Sequence, residues 1–373
     1  MKMGEQIFDE RKTKTVTITL TQSCNLSCKY CYEEHKQSRS MDFDCAYGII
    51  SKELSTTDDY ELVVLDFFGG EPFLQFDLIK RLVASVRAKE WENDYFFSVS
   101  TNGTLVHGEI QSWLVKHSDC FYCTLSYDGT KEMQNTNRSN SAEIIDLDFF
   151  LKQYGDEDIK MTISPETLPD LAEGVMHLHR KGFDVSCNLA YGMDWADKSL
   201  EEILERELSK LIDFYIENPK ITPCSMLNMG FDTVAFGKEK TFRFCGCGIE
   251  MVSYDVDGKA YPCHLFMPLS AGVEKAAMAS ELVFYDKEIP LELIEDKCKN
   301  CVIKSVCPTC FGSNYILFGD IYKHDDMYCK LTKVIMKARS YFKGRQWELG
   351  QLKLSHDDEK MLLRSILIIQ ENL

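Results

Sequence analysis

The feature that most restricts what this chain can fold into is an alternation. Six short apolar runs, Val16–Leu20, Leu62–Phe68, Tyr95–Ser100, Phe121–Tyr127, Ile159–Ser164 and Val185–Ala190, have the length and residue types of strands. Each is followed by a stretch with helical apolar spacing: Asp42–Ser55, Phe76–Lys89, Glu109–Lys116, Ile144–Tyr154, Leu168–Lys181 and Leu200–Glu217. The run Leu62–Phe68 is almost continuously apolar, as in a strand covered on both faces. Regular strand–helix alternation with short connections predicts an α/β fold built on a parallel sheet, here a partial (β/α)6 TIM-like barrel. In such barrels ligand sites are built at the C-terminal ends of the strands. Most of the unusual residues of this chain fall there: a cysteine loop after the first run, Gly69-Gly70-Glu71-Pro72 after the second, Thr101-Asn102-Gly103 after the third and Asp128-Gly129 after the fourth.

The cysteine loop is Thr21-Gln22-Ser23-Cys24-Asn25-Leu26-Ser27-Cys28-Lys29-Tyr30-Cys31. Three thiolates in one loop can ligate three irons of a 4Fe–4S cluster and leave the fourth iron open. A structural zinc site instead wants a closed tetrahedron, and His35 is near enough in sequence to be considered as a fourth ligand. A second cysteine system lies further on. Eight cysteines fall between Cys245 and Cys329, as Cys245-x-Cys247, Cys263, Cys298-x2-Cys301-x5-Cys307-x2-Cys310 and Cys329. Such close pairs point to two metal sites, with zinc ribbons as the alternative to iron–sulfur. Cys45, Cys120, Cys123, Cys187 and Cys224 fit no such spacing and are expected to be buried thiols.

Composition narrows the setting. The chain has 373 residues, enough for one large domain and one or two small ones, and 16 cysteines. No apolar run reaches the roughly 18 residues of a membrane span, and Met1–Lys14 lacks the apolar core of a signal peptide. A cytoplasmic location follows, where clustered cysteines serve metals or catalysis more often than disulfides. A formal charge of −17 argues against a nucleic-acid partner and suits a basic peptide. No membrane partner is expected.

These motifs together resemble the radical S-adenosylmethionine enzymes. The resemblance rests on Cys24-x3-Cys28-x-Tyr30-Cys31, with its aromatic Tyr30 before the third cysteine, and on a following GGEP motif, Gly69-Gly70-Glu71-Pro72. It implies that Cys24, Cys28 and Cys31 hold the open cluster. The GGEP segment with Glu71 would receive the methionine ammonium, and Arg138 would pair with the methionine carboxylate. Ser100, Asn102, Ser126, Asp128 and Ser164 would meet the ribose or line the substrate cavity.

The later cysteines resemble a SPASM extension, although Cys307-Pro308-Thr309-Cys310 has two intervening residues where that family has three. The likeness implies an outer auxiliary cluster on Cys298, Cys301, Cys307 and Cys329. It implies an inner one on Cys263 and Cys310 with Cys245, Cys247 or both, and so three 4Fe–4S clusters in all. The segments expected are a radical barrel over 1–218, a linker over 219–240, the SPASM domain over 241–330 and a helical end over 331–373.

Within the family the chain is most similar to peptide maturases paired with precursors bearing CXXX repeats. That similarity implies a thioether-forming oxidoreductase acting on a Cys-containing ribosomal peptide and reduced by an external low-potential donor such as flavodoxin or ferredoxin. Sulfatase-maturing, formylglycine-forming enzymes share the architecture, and a non-catalytic zinc scaffold is the alternative from another class. With about 15 residues before the first strand, no N-terminal recognition domain is expected, so leader recognition falls to the main body or to a separate protein.

Overall fold

The computed structural model describes residues 11–56, 59–236, 245–285 and 289–373. The charged N-terminal residues 1–10 and the end of the expected linker, 237–240 with Gly237, lie outside the described residues. All six expected strands form: β1 (Thr13–Thr21), β2 (Leu62–Gly69), β3 (Asp94–Thr101), β4 (Phe121–Leu125), β5 (Asp158–Ile163) and β6 (Asp184–Leu189). The expected helices form too: α1 (Phe43–Leu54), α2 (Phe76–Arg87), α3 (Glu109–Lys116), α4 (Leu147–Tyr154), α5 (Leu171–Lys181) and α6 (Ser199–Glu217).

Strands β1 to β4 lie side by side in parallel, and β5 with β6 makes a separate two-stranded sheet. Two further strands extend the larger sheet beyond β1. β7 (Met251–Tyr254) pairs parallel to β1, and β8 (Ala260–Tyr261) turns back antiparallel on β7. The turn between them is closed by Asp255, whose carboxylate accepts the N–H groups of Asp257 at 3.0 Å and Lys259 at 2.9 Å, a side-chain mimic of a backbone turn.

The chain divides into two compact units. The first comprises the chain up to Tyr127 with Gln134–Lys160 and Gly246–Phe284; the second comprises Asp128–Met133, Met161–Cys245 and Tyr285–Leu373. The first unit is centred on the β1–β4 sheet. Alternation puts Phe67, Phe97 and Phe121 on one face, their rings stacked at 5.7 and 6.2 Å between centroids, and α3 covers them through Trp113. Helix α2 buries Leu78, Ile79, Leu82, Val83 and Val86 at helical spacing. The opposite face carries a polar row, Thr17, Asp66 and Ser98, in register across β1, β2 and β3. Helix α7 (Pro268–Met278) also belongs to this unit.

In the second unit α8 (Phe311–Phe318), α9 (Asp326–Glu348) and α10 (His356–Asn372) follow the cysteine pairs. A separate apolar cluster of Phe231, Val234, Ile303, Met336, Leu362 and Ile369 holds the terminal helices in place.

Candidate functional site

The first unit joins the cysteine loop to the GGEP turn by backbone. Gly70 N–H donates to Thr21 O at 3.1 Å and Glu71 N–H to Ser23 O at 3.0 Å. A Cβ at Gly70 would stand 2.3 Å from Ser23 O and 2.8 Å from Cys24 Cβ, so only glycine lets the turn lie this close to the loop. Gly69 has φ +144° and a Cβ there would meet Thr21 O at 2.1 Å. The pairing of these two sequence motifs is therefore a packing contact.

Glu71 is 1% exposed. Its Oε1 accepts Phe73 N–H at 3.1 Å and the Thr101 hydroxyl at 2.9 Å, while Oε2 accepts Asn102 N–H at 2.9 Å. Burial raises its pKa to about 6, with these three donors opposing the shift. The carboxylate thus ties the end of β2 to the end of β3. Next to it, Asn102 Nδ2 donates to Asn25 Oδ1 at 2.9 Å and approaches Cys24 Sγ at 4.0 Å, and Asn25 Nδ2 donates to Thr104 Oγ1 at 2.7 Å.

The far side of the loop is held by residues 137–139. Lys29 N–H donates to Asn137 O at 2.9 Å and Ser27 N–H to Ser139 Oγ at 2.8 Å. Ser139 and Asn140 have φ of 54° and 55°, a conformation that a serine seldom adopts. Beside them the Arg138 guanidinium sits 5.3 Å from the centre of the Tyr30 ring. The Lys36 ammonium lies 2.7 Å from Cys31 Sγ and 3.7 Å from Glu33. Burial works against that ammonium, yet Cys31 and Glu33 hold its pKa above the usual value. Burial raises the Cys24 thiol. Cys24, Cys28 and Cys31 are each half-buried.

Ser100 accepts from the Lys160 ammonium at 2.7 Å, and Ser126 is bridged to Lys160 by backbone pairing. Asp128 and Ser164 belong to the second unit, both fully buried. Asp128 accepts Thr162 N–H at 2.9 Å and Ser164 Oγ accepts Thr167 N–H at 3.3 Å, so each organises local backbone.

The later cysteines divide likewise. In the first unit Cys247 and Cys263 are buried, with their thiols hydrogen-bonded to one another. Cys245, which is exposed, and Cys310 belong to the second unit. In that unit Cys298, Cys301, Cys307, Cys310 and Cys329 line one cavity of about 140 Å³. Burial, and then the charge of Cys329 and other neighbours, raises Cys298 to about 11 and Cys307 to about 12. The Cys307 thiol feels Cys329, Cys301 and Cys298 together. Cys298, Cys307 and Cys329 are all raised by burial and by the charge of neighbouring thiols. Gathered with Cys301 around one cavity, they form a donor set whose repulsion a cationic iron–sulfur core offsets, and this set fits the group expected there.

Sequence reasoning missed His324, which lines the same cavity. It also missed Lys36 and Ser139, whose contacts depend on the fold. Among the thiols assigned to no cluster, Cys123, Cys187 and Cys224 are buried, whereas Cys45 and Cys120 are half-buried. Cys120 lies 3.1 Å from the Arg87 guanidinium, a polar setting that the neighbouring apolar residues conceal in the sequence.

Residues 14–144 match the 4Fe-4S single cluster domain family. An uncharacterized protein of Methanocaldococcus jannaschii is 27% identical over 44% of this chain, which spans 58% of that protein's length. The radical SAM cyclopropyl synthase TigE of Paramaledivibacter caminithermalis is 20% identical over 90% of this chain and 75% of its own. Among solved structures, native anSMEcpe with bound AdoMet and a Cp18Cys peptide superposes with a TM-score of 0.68. It is 19% identical, over 91% of this chain and 100% of that one. Streptococcus suis SuiB bound to precursor peptide SuiA gives a TM-score of 0.53 at 16% identity, over 84% of this chain and 75% of that one. Their fold is the fold of this chain. Among the described residues no helix is long and apolar enough to cross a membrane.

Proposed function

We propose, from the premise that this chain belongs to the radical S-adenosylmethionine enzymes and carries a SPASM-type cysteine-rich C-terminal region, that it is a peptide maturase forming an intramolecular thioether. The observation that carries the reading is the second thiol set: Cys298, Cys301, Cys307 and Cys329 around one cavity, in a chain that already has a complete three-cysteine loop. A radical enzyme that only abstracts and returns a hydrogen atom has no use for a second cluster site. The two solved relatives just described are complexes with peptides, a Cp18Cys peptide and the precursor SuiA.

Cys24, Cys28 and Cys31 would hold the loop cluster. Cys298, Cys301, Cys307 and Cys329 would hold the outer auxiliary cluster, and Cys263 and Cys310, with Cys245 and/or Cys247, the inner one. Bound together, the loop cluster and S-adenosylmethionine supply a 5′-deoxyadenosyl radical, chemistry that belongs to the cofactor. The protein's share is placement. Asn25, Asn102 and the glycine turn fix the loop. Glu71 offers buried negative charge at the strand ends, where the methionine ammonium is expected. Arg138 stands beside Tyr30, where the methionine carboxylate is expected.

Closing a thioether breaks one S–H and one C–H bond, forms one S–C bond and releases two protons and two electrons. One proton and one electron leave together as the hydrogen atom taken by the 5′-deoxyadenosyl radical. The other proton, from the thiol, passes to solvent, and the other electron needs an acceptor, which is the chemistry an auxiliary cluster would supply. An external low-potential donor of the flavodoxin or ferredoxin class reduces the enzyme, and leader recognition comes from the main body or a separate protein.

The test uses a small Cys-containing candidate precursor peptide, with reductant and S-adenosylmethionine. The expected product has lost two hydrogen atoms per bridge, and alkylation finds one thiol fewer for each. Mass loss with every thiol still alkylatable points to carbon–carbon closure, the outcome suggested by the cyclopropyl synthase relative. Reaction confined to a sulfatase motif makes the enzyme formylglycine-forming.

A further inference from the structure

Glu295, Cys298 and His324 bring one ligand atom each into a space less than 4.8 Å across. Glu295 immediately precedes the short helix Asp296–Lys299 that carries Cys298, and His324 lies just before α9, which carries Cys329. Two contacts made by the backbone of residue 324 clamp these segments together. Its N–H donates to Glu295 Oε2 at 2.7 Å, and its carbonyl accepts from the Lys297 ammonium at 2.8 Å. Lys297 also pairs with Asp326 in the first turn of α9. The imidazole is therefore not needed to hold the two segments.

The ring is turned toward the cavity. His324 Nδ1 lies 3.3 Å from Glu295 Oε2 and 3.7 Å from Cys298 Sγ. A cysteine sulfur bound to an iron–sulfur cluster carries no proton and can only accept. An ionised Glu295 likewise only accepts, so the one proton between these three atoms resides on Nδ1 and is shared between the carboxylate that orients the ring and the sulfur.

We propose that His324, oriented by Glu295, is a positioning residue that donates its Nδ1–H to the cluster-bound sulfur of Cys298 and raises the reduction potential of the outer auxiliary cluster. Hydrogen bonds to cluster sulfurs favour the reduced, more negative core, and partners one shell out from the metal tune it in this way. The effect makes the outer cluster a better electron acceptor, as the thioether reaction requires. The inference rests on the assignment of an outer cluster to Cys298, Cys301, Cys307 and Cys329.

The test is a redox titration of the anaerobically reconstituted full-length protein, followed by electron paramagnetic resonance. The outer-cluster signal is assigned by its loss in Cys329→Ala. His324→Phe is expected to move the midpoint of that signal to more negative potential with iron content unchanged, because the backbone clamp remains. His324→Asn, whose side-chain amide offers an N–H close to the position of Nδ1, is expected to recover most of the shift. A His324→Phe midpoint equal to wild type overturns the proposal. Loss of this cluster's iron in His324→Phe also overturns it, by making His324 a ligand. Absence of any Cys329-dependent signal in the wild type removes the outer cluster itself, a failure distinct from an unshifted midpoint.

Discussion

Replacing Cys24, Cys28 and Cys31 together by alanine is expected to abolish cleavage of S-adenosylmethionine and to remove about a third of the iron. The loop around these residues is secured by backbone and side-chain contacts that do not use sulfur: Gly70 and Glu71 N–H to the loop carbonyls, Asn102 to Asn25, and Ser27 and Lys29 to the 137–139 segment. The triple variant should therefore fold and keep its remaining iron, held by thiols from Cys245 onward. Iron analysis and chromatography of 5′-deoxyadenosine read the two effects separately. Full retention of iron would mean that the loop binds none. Loss of all iron would mean that the later cysteines do not hold clusters independently.

Glu71→Ala carries the second large effect. It strands the N–H groups of Phe73 and Asn102 and the Thr101 hydroxyl in a buried place. An unsatisfied buried donor costs about 1–3 kcal/mol, so a destabilisation of several kcal/mol is expected. Thermal or denaturant unfolding measures it. A pH signature accompanies it. Burial raises the folded-state pKa of Glu71 from 4.5 to about 6, so the folded chain holds this proton more tightly than the unfolded one. The stability contributed by this proton alone is present below about 4.5 and lost as pH rises through about 6, and Glu71→Ala removes that slope while its cost in hydrogen bonds remains. Weaker S-adenosylmethionine binding in an equilibrium titration, with iron unchanged, is the further effect expected if Glu71 receives the methionine ammonium. Unaltered binding would leave Glu71 with its strand-tying role alone.

Much of the fold is legible in the sequence, for identifiable reasons. Strands such as Leu62–Gly69 are apolar and short, helices such as Phe76–Arg87 bury a regular stripe, and both patterns survive without tertiary context. The cysteine loop and GGEP announce themselves by spacing, and the structure adds why they go together: a glycine is needed at the contact between Gly70 and Ser23. The β7–β8 hairpin escapes sequence reading, because four residues followed by Asp255-Val256-Asp257-Gly258 carry too little periodicity to stand out. Lys36 reads as one more surface lysine until the fold brings its ammonium to Cys31. His324 stands 26 residues from Cys298 and five before Cys329, outside any ligand spacing, and only the clamp through Glu295 gives it a place. Asp128 and Ser164 fall at strand ends as expected, and their side-chain oxygens accept from local backbone of the second unit.

Radical formation at the Cys24–Cys28–Cys31 loop and the presence of auxiliary clusters can be read together on one preparation. The most direct measurement combines iron and sulfide analysis of the anaerobically reconstituted protein with an assay of reductive cleavage. About twelve iron and twelve sulfide per chain are predicted for three 4Fe–4S clusters, together with 5′-deoxyadenosine and methionine in equal amounts once reductant and S-adenosylmethionine are added. Zinc in place of iron, or a protein loaded with iron that yields neither product, would mean that this loop does not cleave S-adenosylmethionine.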